Sequence, residues 1–264
     1  MITGIAGKQL NLAVGSKRLP ECGAYQLRFA RTKKELMDAF RLRFLVFNLE
    51  LGEGLEASYA EGYDRDEFDV VCDHLIVQER ATGEAVGTYR MQTGPRAARK
   101  LGYYSAREFD FGPYEGLRRE LVEVGRASIH RDHRNFEVLN LLWRGIARYA
   151  EEHQAGYLVG CSSVNSQDPQ EAAELYHELR DFQVEPELRT VPCDNFRLPD
   201  LPSPASSGSK ARIPKLLRAY LAIGARICGP PAIDRQFKTI DFLTLLDLNC
   251  LSPAAKARFF GRTR

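Results

Sequence analysis

One stretch, residues 120–153, limits what this chain can fold into more than any other, because it joins an apolar strand, a basic turn and an amphipathic helix. Its strand part contains one acid, Glu123, and one base, Arg126. On a regular strand, side chains three positions apart point to opposite faces of the sheet. Gly125 lies between the two, and glycine tolerates the backbone of a β-bulge. The sequence therefore predicts a bulge at Val124–Gly125 that brings both side chains to one face.

The predicted bulge would place two chemical groups side by side, a carboxylate and a backbone N–H group without a strand partner. A carboxylate can accept the proton of an amine, and a free N–H group can stabilise the oxyanion formed when an amine attacks a thioester. The pattern predicts acyl transfer, with Glu123, Val124, Gly125 and Arg126 at the reaction centre. A buried ion pair with a structural role alone is the alternative.

Length, hydropathy and cysteine use exclude several classes of protein. The 264 residues suffice for one sizeable domain or two small ones. No apolar run approaches the roughly 18 residues of a membrane-spanning helix, and the first 23 residues lack a secretory signal pattern. The six cysteines are scattered without a C-x-x-C pair, which indicates a reducing cytoplasm and argues against a disulfide framework or a zinc site. Spacing gives Cys161 no partner base, so we do not expect a cysteine nucleophile.

Charge is distributed unevenly along the chain. Residues 1–209 carry 26 lysines and arginines against 32 acids, whereas residues 210–264 carry 11 against 3. The basic C-terminal region is expected to meet an acidic partner protein or an anionic membrane surface. Nucleic acid is not an expected partner, because we find no binding motif for it and the region has too few aromatic residues for base stacking.

The alternation of strand and helix patterns predicts an α/β fold with a parallel or mixed sheet. Outside the central stretch, strand patterns cover residues 24–31, 73–93, 156–164 and 238–248. Residues 73–93 are predicted to form a hairpin that turns at Ala81–Glu84. Helix patterns cover residues 32–52, 168–180 and 211–229, the last as a basic amphipathic helix. Thr32 and Glu35 are predicted to form a capping box for the first helix, and Asp168 to cap the second. Residues 48–67 have a loop composition, and residues 94–119 form either a cover over a site or a plain insertion.

These patterns divide the chain into four parts. We expect an N-terminal extension over residues 1–23 and a core over residues 24–198. A connection rich in proline and serine follows over residues 199–210. The basic helix and the last strand, residues 211–264, are expected to complete the same domain.

Charged residues outside the central stretch are further candidates for the site. Arg43 lies within an apolar helix stripe, where a guanidinium needs an acidic partner. Asp66 and Asp69 precede the hairpin, and Arg90 ends its second strand; taken singly, each is more simply a solvated charge. His74 is either a proton carrier or a structural hydrogen-bonding residue.

The turn HRDHRN, residues 130–135, precedes the central helix. Helix N-termini present free N–H groups and a partial positive charge, and the arginines of the turn add to that field. The turn therefore predicts either an anion site that contains Arg131, Arg134 and Asn135, or a solvated loop.

Taken together, the motifs resemble one superfamily. The order Arg43-x-x-x-Phe47, Asp66-x-x-Asp69, Gly87-x-x-Arg90 and Glu123-x-x-Arg126 resembles the acyl-homoserine-lactone synthase branch of the Gcn5-related N-acyltransferases. It is more similar to a sister group, the ornithine-lipid or N-acyl amino acid synthases. The segments FDVVCDHLIV, VEVGRASIHRDHRN and GPPAIDRQFKTIDFLTLLDL carry this resemblance, which extends from about residue 25 to residue 250.

The resemblance implies a Gcn5-related α/β (α+β) fold, with a twisted mixed sheet flanked by helices and splayed at a bulged central strand. It implies that a fatty, 3-hydroxylated acyl group moves from the phosphopantetheine thioester of acyl carrier protein to the α-amine of an amino acid, with L-ornithine as the best guess. The product would be a lyso-ornithine lipid, made in the cytoplasm or at the inner face of the membrane. Glu123 would be the general base, while Arg43, Asp66, Asp69, Arg90 and Arg126 would shape the amine pocket. Neither a metal nor a tightly bound cofactor is implied.

Two departures refine this expectation. The phosphate loop of acetyl-coenzyme A enzymes contains two glycines that the turn after Arg131 lacks, so the single phosphate of a carrier-bound phosphopantetheine fits better than a pyrophosphate. Gly52 and Glu53 stand where the lactone synthases have tryptophan, which weakens lactone formation. The alternatives are a synthase for another N-acyl amino acid or a lactone, and a lipid-binding module without catalysis.

Overall fold

The computed structural model describes residues 21–198 and 212–261, and these residues build one mixed sheet. Its strands are β1 (Glu21–Cys22), β2 (Tyr25–Phe29), β3 (Asp73–Glu79), β4 (Ala85–Thr93), β5 (Leu121–Ile129), β6 (Tyr157–Val164), β7 (Arg226–Ile227), β8 (Ala232–Asp234) and β9 (Thr239–Asp247). They are ordered β1-β2-β3-β4-β5-β6-β9-β7, with β8 paired to β9. Among these strands, β5 and β6 pair in parallel and the other pairs are antiparallel. The predicted mixed sheet is confirmed.

Helices cover both faces of the sheet. They are α1 (Lys33–Phe44), α2 (Ser58–Glu61), α3 (Gly94–Arg99), α4 (Phe136–Glu152), α5 (Pro169–Glu178), α6 (Lys215–Ala222) and α7 (Pro253–Phe259). A π-helical segment, Leu45–Glu50, continues α1, and short 3-10 turns include Glu67–Val70, Ser105–Arg107 and Gly112–Glu120. The capping box of Thr32 and Glu35 is confirmed, as is the cap at Asp168. None of the described helices is long and apolar enough to cross a membrane.

The core has two sides. On one face of the sheet, α4 packs against alternate residues of β3, β4 and β5. Gly145 makes this packing close, because a Cβ atom there would lie 2.5 Å from a methyl group of Leu75. The opposite face carries α1 near the middle of the sheet, with Ile76 in contact with Phe40. Because side chains alternate along a strand, the charged residues Arg90 and Glu123 belong to this α1 face.

The aromatic segment after β4 is a packed layer. Its buried side chains contact the α1 face of β5, β6 and β9 and include Tyr103, Phe109, Phe111 and Tyr114. Burial of a large aromatic side chain contributes roughly 1.5–3 kcal/mol, so this layer is part of the core. Residues 94–119, for which the sequence left both a cover and a plain insertion open, therefore form a fixed wall of the core.

The basic helix predicted over residues 211–229 is wrong in extent. Helix α6 ends at Ala222, because Gly224 adopts a left-handed backbone with φ of 107° and the chain then enters β7. Its buried face, Leu217 and Leu221, packs on the core. The N-terminal extension up to residue 20 and the connection over residues 199–210 lie outside the described residues.

Candidate active site

The central strand β5 contains a bulge, but at a different position from the one predicted. Gly125 pairs with Arg90 of β4, and Ser128 pairs with Thr88. Two residues of β5, Arg126 and Ala127, therefore lie opposite one residue of β4. The predicted bulge at Val124–Gly125 is wrong, because Gly125 stays in the regular ladder. Arg126 instead adopts the left-handed backbone, with φ of 51°, which is uncommon for a residue with a side chain.

Contacts from other parts of the chain hold Arg126 in this conformation. Its guanidinium lies 4.2 Å from the ring centroid of Phe237 and 4.6 Å from that of Tyr104. It also donates a 2.9 Å hydrogen bond from Nη2 to Asp66. The bulge places Arg126 on the α1 face, and Glu123, which pairs with Gln92, lies on the same face. The predicted sharing of one face is confirmed, although the two side chains do not pair with each other.

Strands β5 and β6 separate shortly after they meet. Their parallel ladder covers Leu121–Glu123 and Tyr157–Val159, and β6 pairs further on with β9 alone. Within the described strands, Val124, Gly125 and Arg126 thus have no partner on β6. Gly160 lies at the opening of this gap, and a Cβ atom there would come within 2.1 Å of the Val124 carbonyl oxygen. The predicted splay is present, and glycine is required where the strands diverge.

A cavity of about 250 Å³ occupies the gap between β5 and β6. Its lining includes side chains from both faces of the sheet. On the α4 face the wall is mostly apolar and is formed by Trp143, Ile146, Leu158, Leu217, Tyr220 and Leu246. On the α1 face it contains Glu53, Arg90, Glu108, Glu123, Arg126, Asp234 and Asp241. The cavity therefore connects an apolar compartment to a charged compartment through the open ladder.

Glu123 lies in the wall of the charged compartment and is 5% exposed. Its Oε2 accepts hydrogen bonds from the side-chain amide of Gln92, at 2.7 Å, and from the N–H group of Tyr104, at 2.9 Å. Its Oε1 accepts one from the N–H group of Ser105, at 2.7 Å. Three donors thus orient the carboxyl group, and Oε1 keeps a lone pair free for a further donor.

A buried network of arginines and aspartates lies behind the cavity wall. Arg43 donates from Nε to Asp64, at 2.6 Å, and through both Nη atoms to Asp69, at 2.8 and 2.9 Å. Arg90 bridges Asp66, at 2.6 Å, and Asp69, at 3.0 Å. Burial alone would raise the pKa of Asp69, but Arg43 and Arg90 outweigh it and hold that pKa far below its usual range.

This network differs from the predicted amine pocket. Arg90 and Arg126 line the cavity, whereas Arg43, Asp66 and Asp69 do not. The two aspartates already pair with arginines behind the cavity wall, and their part in shaping the amine pocket stays a prediction. The sequence analysis missed Asp64, which completes the set of three arginines and three aspartates.

His74 is buried beside the network and does not line the cavity. Its Nε2 lies 3.1 Å from the carbonyl oxygen of Asp69. Burial lowers the pKa of His74 to about 4, so the ring is neutral near pH 7. Its position favours the structural alternative over the proton carrier. Burial also raises the pKa of the Cys161 thiol well above its ordinary value, which keeps this cavity-lining sulfur protonated.

The residues predicted to bind phosphate surround the start of α4. Asn135 caps the helix by accepting from the N–H group of Val138, at 3.0 Å. Arg134 forms two hydrogen bonds with Glu50, at 2.6 and 2.8 Å, and Arg131 is exposed. Arg131 lies 3.8 Å from Asp132, so all three side chains have partners within the chain, and phosphate binding here stays a prediction.

Four buried carboxyl groups in the cavity wall were missed by the sequence analysis. The carboxyl groups of Glu108, Asp234 and Asp241, called here the acidic cluster, have oxygen atoms within 4.8 Å of one another. Burial, together with Asp241 and Asp234, raises the pKa of Glu108 well above its usual value. Glu53 lies near Asp241, and burial with this neighbour raises its pKa to about 7. Asp241 was visible in the sequence as an acid inside an otherwise apolar strand.

The raised pKa of Glu53 makes a prediction about stability. A carboxyl group whose pKa is higher in the folded protein contributes stability below its ordinary value of 4.5, and this stability is lost as the pH rises through about 7. Glu53→Gln should therefore be more stable than the wild type at pH 8, and the difference should shrink towards pH 5. Thermal unfolding at both pH values measures this. An equal difference in Tm at the two values would contradict the burial of a titrating carboxyl group.

Comparisons with known proteins agree with this architecture. Residues 42–144 match the acetyltransferase (GNAT) domain family. An L-ornithine N(alpha)-acyltransferase from Brucella abortus (strain 2308) is 32% identical over 251 residues, which cover 89% of this chain and 88% of the relative. One from Rhodobacter capsulatus is 30% identical over 238 residues, which cover 87% of this chain and 92% of the relative.

A solved structure shares the fold. The crystal structure of the AHL synthase LasI superposes with a TM-score of 0.53 at 13% sequence identity and covers 91% of this chain and 98% of its own. The fold expected from the sequence motifs is therefore confirmed.

Proposed function

The chain belongs to the family of the L-ornithine N(alpha)-acyltransferases and is an N-acyltransferase, and we propose that it moves a fatty, 3-hydroxylated acyl group from acyl carrier protein to the α-amine of L-ornithine. The product is then an N-acyl ornithine, or lyso-ornithine lipid. One observation carries the proposal: a single cavity joins an apolar compartment to a compartment of buried carboxyl groups at the point where β5 and β6 separate.

The cavity suggests how the two substrates are arranged. The acyl chain occupies the apolar compartment beside Trp143 and Leu246, where it loses contact with water. The thioester carbonyl lies in the gap, next to the part of β5 that has no partner on β6. Backbone N–H groups there can stabilise the oxyanion, and the loss of one such donor typically costs a factor of about 100 to 1,000.

Glu123 is proposed to accept the proton of the attacking amine through a water molecule. Its three hydrogen bonds fix the position of the carboxyl group, and its Oε1 retains a lone pair for that water. The amine nitrogen forms a bond to the carbonyl carbon, the C–S bond breaks, and the thiol of phosphopantetheine leaves with a proton. A positive charge at Arg131 and the N-terminus of α4 suits the phosphate of the carrier's phosphopantetheine.

Mass spectrometry tests the whole proposal. The purified protein is incubated with 3-hydroxyacyl thioesters of acyl carrier protein or of coenzyme A and a mixture of amino acids. We expect N-acyl ornithine as the main product, formed faster from the carrier protein because the turn after Arg131 lacks the glycines that admit a pyrophosphate. No N-acylated product with either donor would overturn the proposal. A higher rate with the coenzyme A thioester would reject the carrier protein as donor.

A further inference from the structure

We propose that Glu53 and the acidic cluster of Glu108, Asp234 and Asp241 bind the side-chain ammonium of a diamino acid, and so select an acceptor with a second amine. This inference rests on the proposed function, since it assigns the acceptor end of the same cavity. The relevant residues come from four separate segments, and each lines the charged compartment.

Within residues 21–198 and 212–261, no lysine or arginine forms an ion pair with Glu53 or the acidic cluster. Glu53 is 7% exposed, and no described residue donates a hydrogen bond to its carboxyl group. In Asp241, Oδ2 accepts from the hydroxyl of Thr239, but Oδ1 is buried without a partner. Glu108 contacts the thiol of Cys161 at 3.7 Å and shares a hydrogen bond with Asp241, so one proton lies between these two carboxyl groups. Asp234 accepts hydrogen bonds from the N–H groups of Gln236 and Phe237, at 2.7 and 2.9 Å. Carboxyl groups this close repel one another when ionised, so the set suits a ligand that brings positive charge.

The arginine that acts electrostatically on Glu108 does not meet this need. Arg126 acts on Glu108 electrostatically, but its guanidinium forms its hydrogen bond and ion pairs with Asp66 and Asp64. Those two aspartates belong to the network of three arginines and three aspartates, which is balanced in charge. The acidic cluster together with Glu53 thus adds four acids to the cavity that no described arginine or lysine pairs with.

The position of these acids fits the far end of an amino acid acceptor. Asp241 lies on β9 opposite Ser163, four residues beyond Val159, where the ladder between β5 and β6 ends. Four residues of strand span roughly 13 Å between Cα atoms, and inward-pointing side chains shorten that distance. An α-amine held near Glu123 at the gap would leave the side-chain amine of ornithine directed towards the cluster. An ammonium has three N–H donors, which suits a set of carboxylate oxygens.

The experiment measures competition between L-ornithine and L-norvaline, which has the same carbon chain without the second amine. Equimolar mixtures are acylated with the carrier-protein thioester, and the product ratio gives the ratio of kcat/KM values. In the wild type we expect ornithine to be preferred by at least about 100-fold, because a buried site built to pair with a polar group rejects an analogue that lacks it. Equal use of the two amino acids would overturn this inference and leave acyl transfer itself intact.

Variants assign the preference to the named acids. Glu53→Gln and Asp241→Asn should each lower kcat/KM for ornithine by about 10- to 100-fold and leave norvaline unchanged. The matched control is Glu185→Gln, an exposed acid away from the cavity, which should retain the full preference. An equal loss of kcat/KM for ornithine and norvaline would indicate that the acids have a structural role only, and would contradict this assignment.

A divalent metal ion is the competing ligand for an oxygen-rich cluster. Titration calorimetry of the wild type with Mg²⁺ or Ca²⁺ alone, and assays after treatment with a chelator, separate the two. We expect no saturable metal binding and unchanged ornithine preference after chelation. Metal binding that Asp241→Asn abolishes would overturn the ammonium assignment, whereas absence of any acylated product in these assays would overturn the proposed function.

Discussion

Glu123→Gln is expected to lower turnover by at least about 100-fold while the protein stays folded and still binds acyl carrier protein. The amide cannot accept the amine proton. It also offers one acceptor oxygen where Gln92, Tyr104 and Ser105 now donate to two. Gln92 cannot reverse its amide without loss, because its Nε2 also donates to the Gly102 carbonyl at 3.0 Å, so at least one N–H group will lose a strong acceptor. We therefore expect a loss of stability of about 1–3 kcal/mol beside the loss of activity.

Three measurements make this prediction decisive. Single-turnover assays give the rate of acyl transfer, fluorescence anisotropy gives the affinity for the carrier protein, and urea unfolding gives the free energy of unfolding. Glu120→Gln is the matched control, since it removes an exposed acid next to the same strand and should change none of the three. Normal turnover in folded Glu123→Gln would remove this carboxylate from the chemistry. The water-relayed proton transfer would then need another acceptor in the cavity.

Local rules account for the parts of the fold that the sequence predicted. Thr32 and Glu35 form a capping box because both partners lie within one turn of the same helix. Arg43 was expected to need an acid because an apolar helix stripe surrounds it, and it pairs with Asp64 and Asp69. In these cases the determinant is a periodicity or a spacing that is complete within a short stretch of chain.

The features that were wrong or missed depend on residues far apart in the sequence. Gly125 made a bulge plausible, but contacts of Arg126 with Asp66, Tyr104 and Phe237 determine where it occurs. Asp66 and Phe237 come from opposite ends of the chain, so no local pattern could indicate that position.

The acidic cluster illustrates the same limit. Glu108 lies in the aromatic segment, whereas Asp234 and Asp241 lie on β8 and β9. They meet because β9 lies between β6 and β7 in the sheet, and the spacing of the three acids along the sequence does not indicate this. The visible signal was Asp241, an acid between apolar residues in the interior of the strand Thr239–Asp247, where its neighbours are buried. An isolated acid in such a strand indicates a partner or a ligand without saying which.

Arg43→Ala should destabilise the protein by about 3–5 kcal/mol, the cost expected when one partner of a buried ion pair is removed. Asp64 is fully buried and loses its 2.6 Å partner, while Asp69 loses two hydrogen bonds and keeps only Arg90 among the arginines. Arg43→Lys should recover only part of the loss, because one ammonium cannot replace a planar group that binds two aspartates. Lys34→Ala removes an exposed pair with Asp38 and should change the free energy of unfolding little, because water screens exposed charges.

The pH dependence separates the lost ion pairs from lost packing. The depressed pKa of Asp69 contributes stability above its ordinary value of 3.8, and this contribution disappears as the pH falls towards the folded-state value. The wild type should therefore lose more stability than Arg43→Ala between pH 7 and pH 3, and the difference between them should narrow. Urea unfolding at both pH values measures that difference. The guanidinium carbon of Arg43 lies 5.0 Å from the ring centroid of Phe40. A stability difference that stays constant with pH would mean that Arg43 stabilises the fold through this packing. The carboxylates behind the cavity wall would then tolerate burial without Arg43.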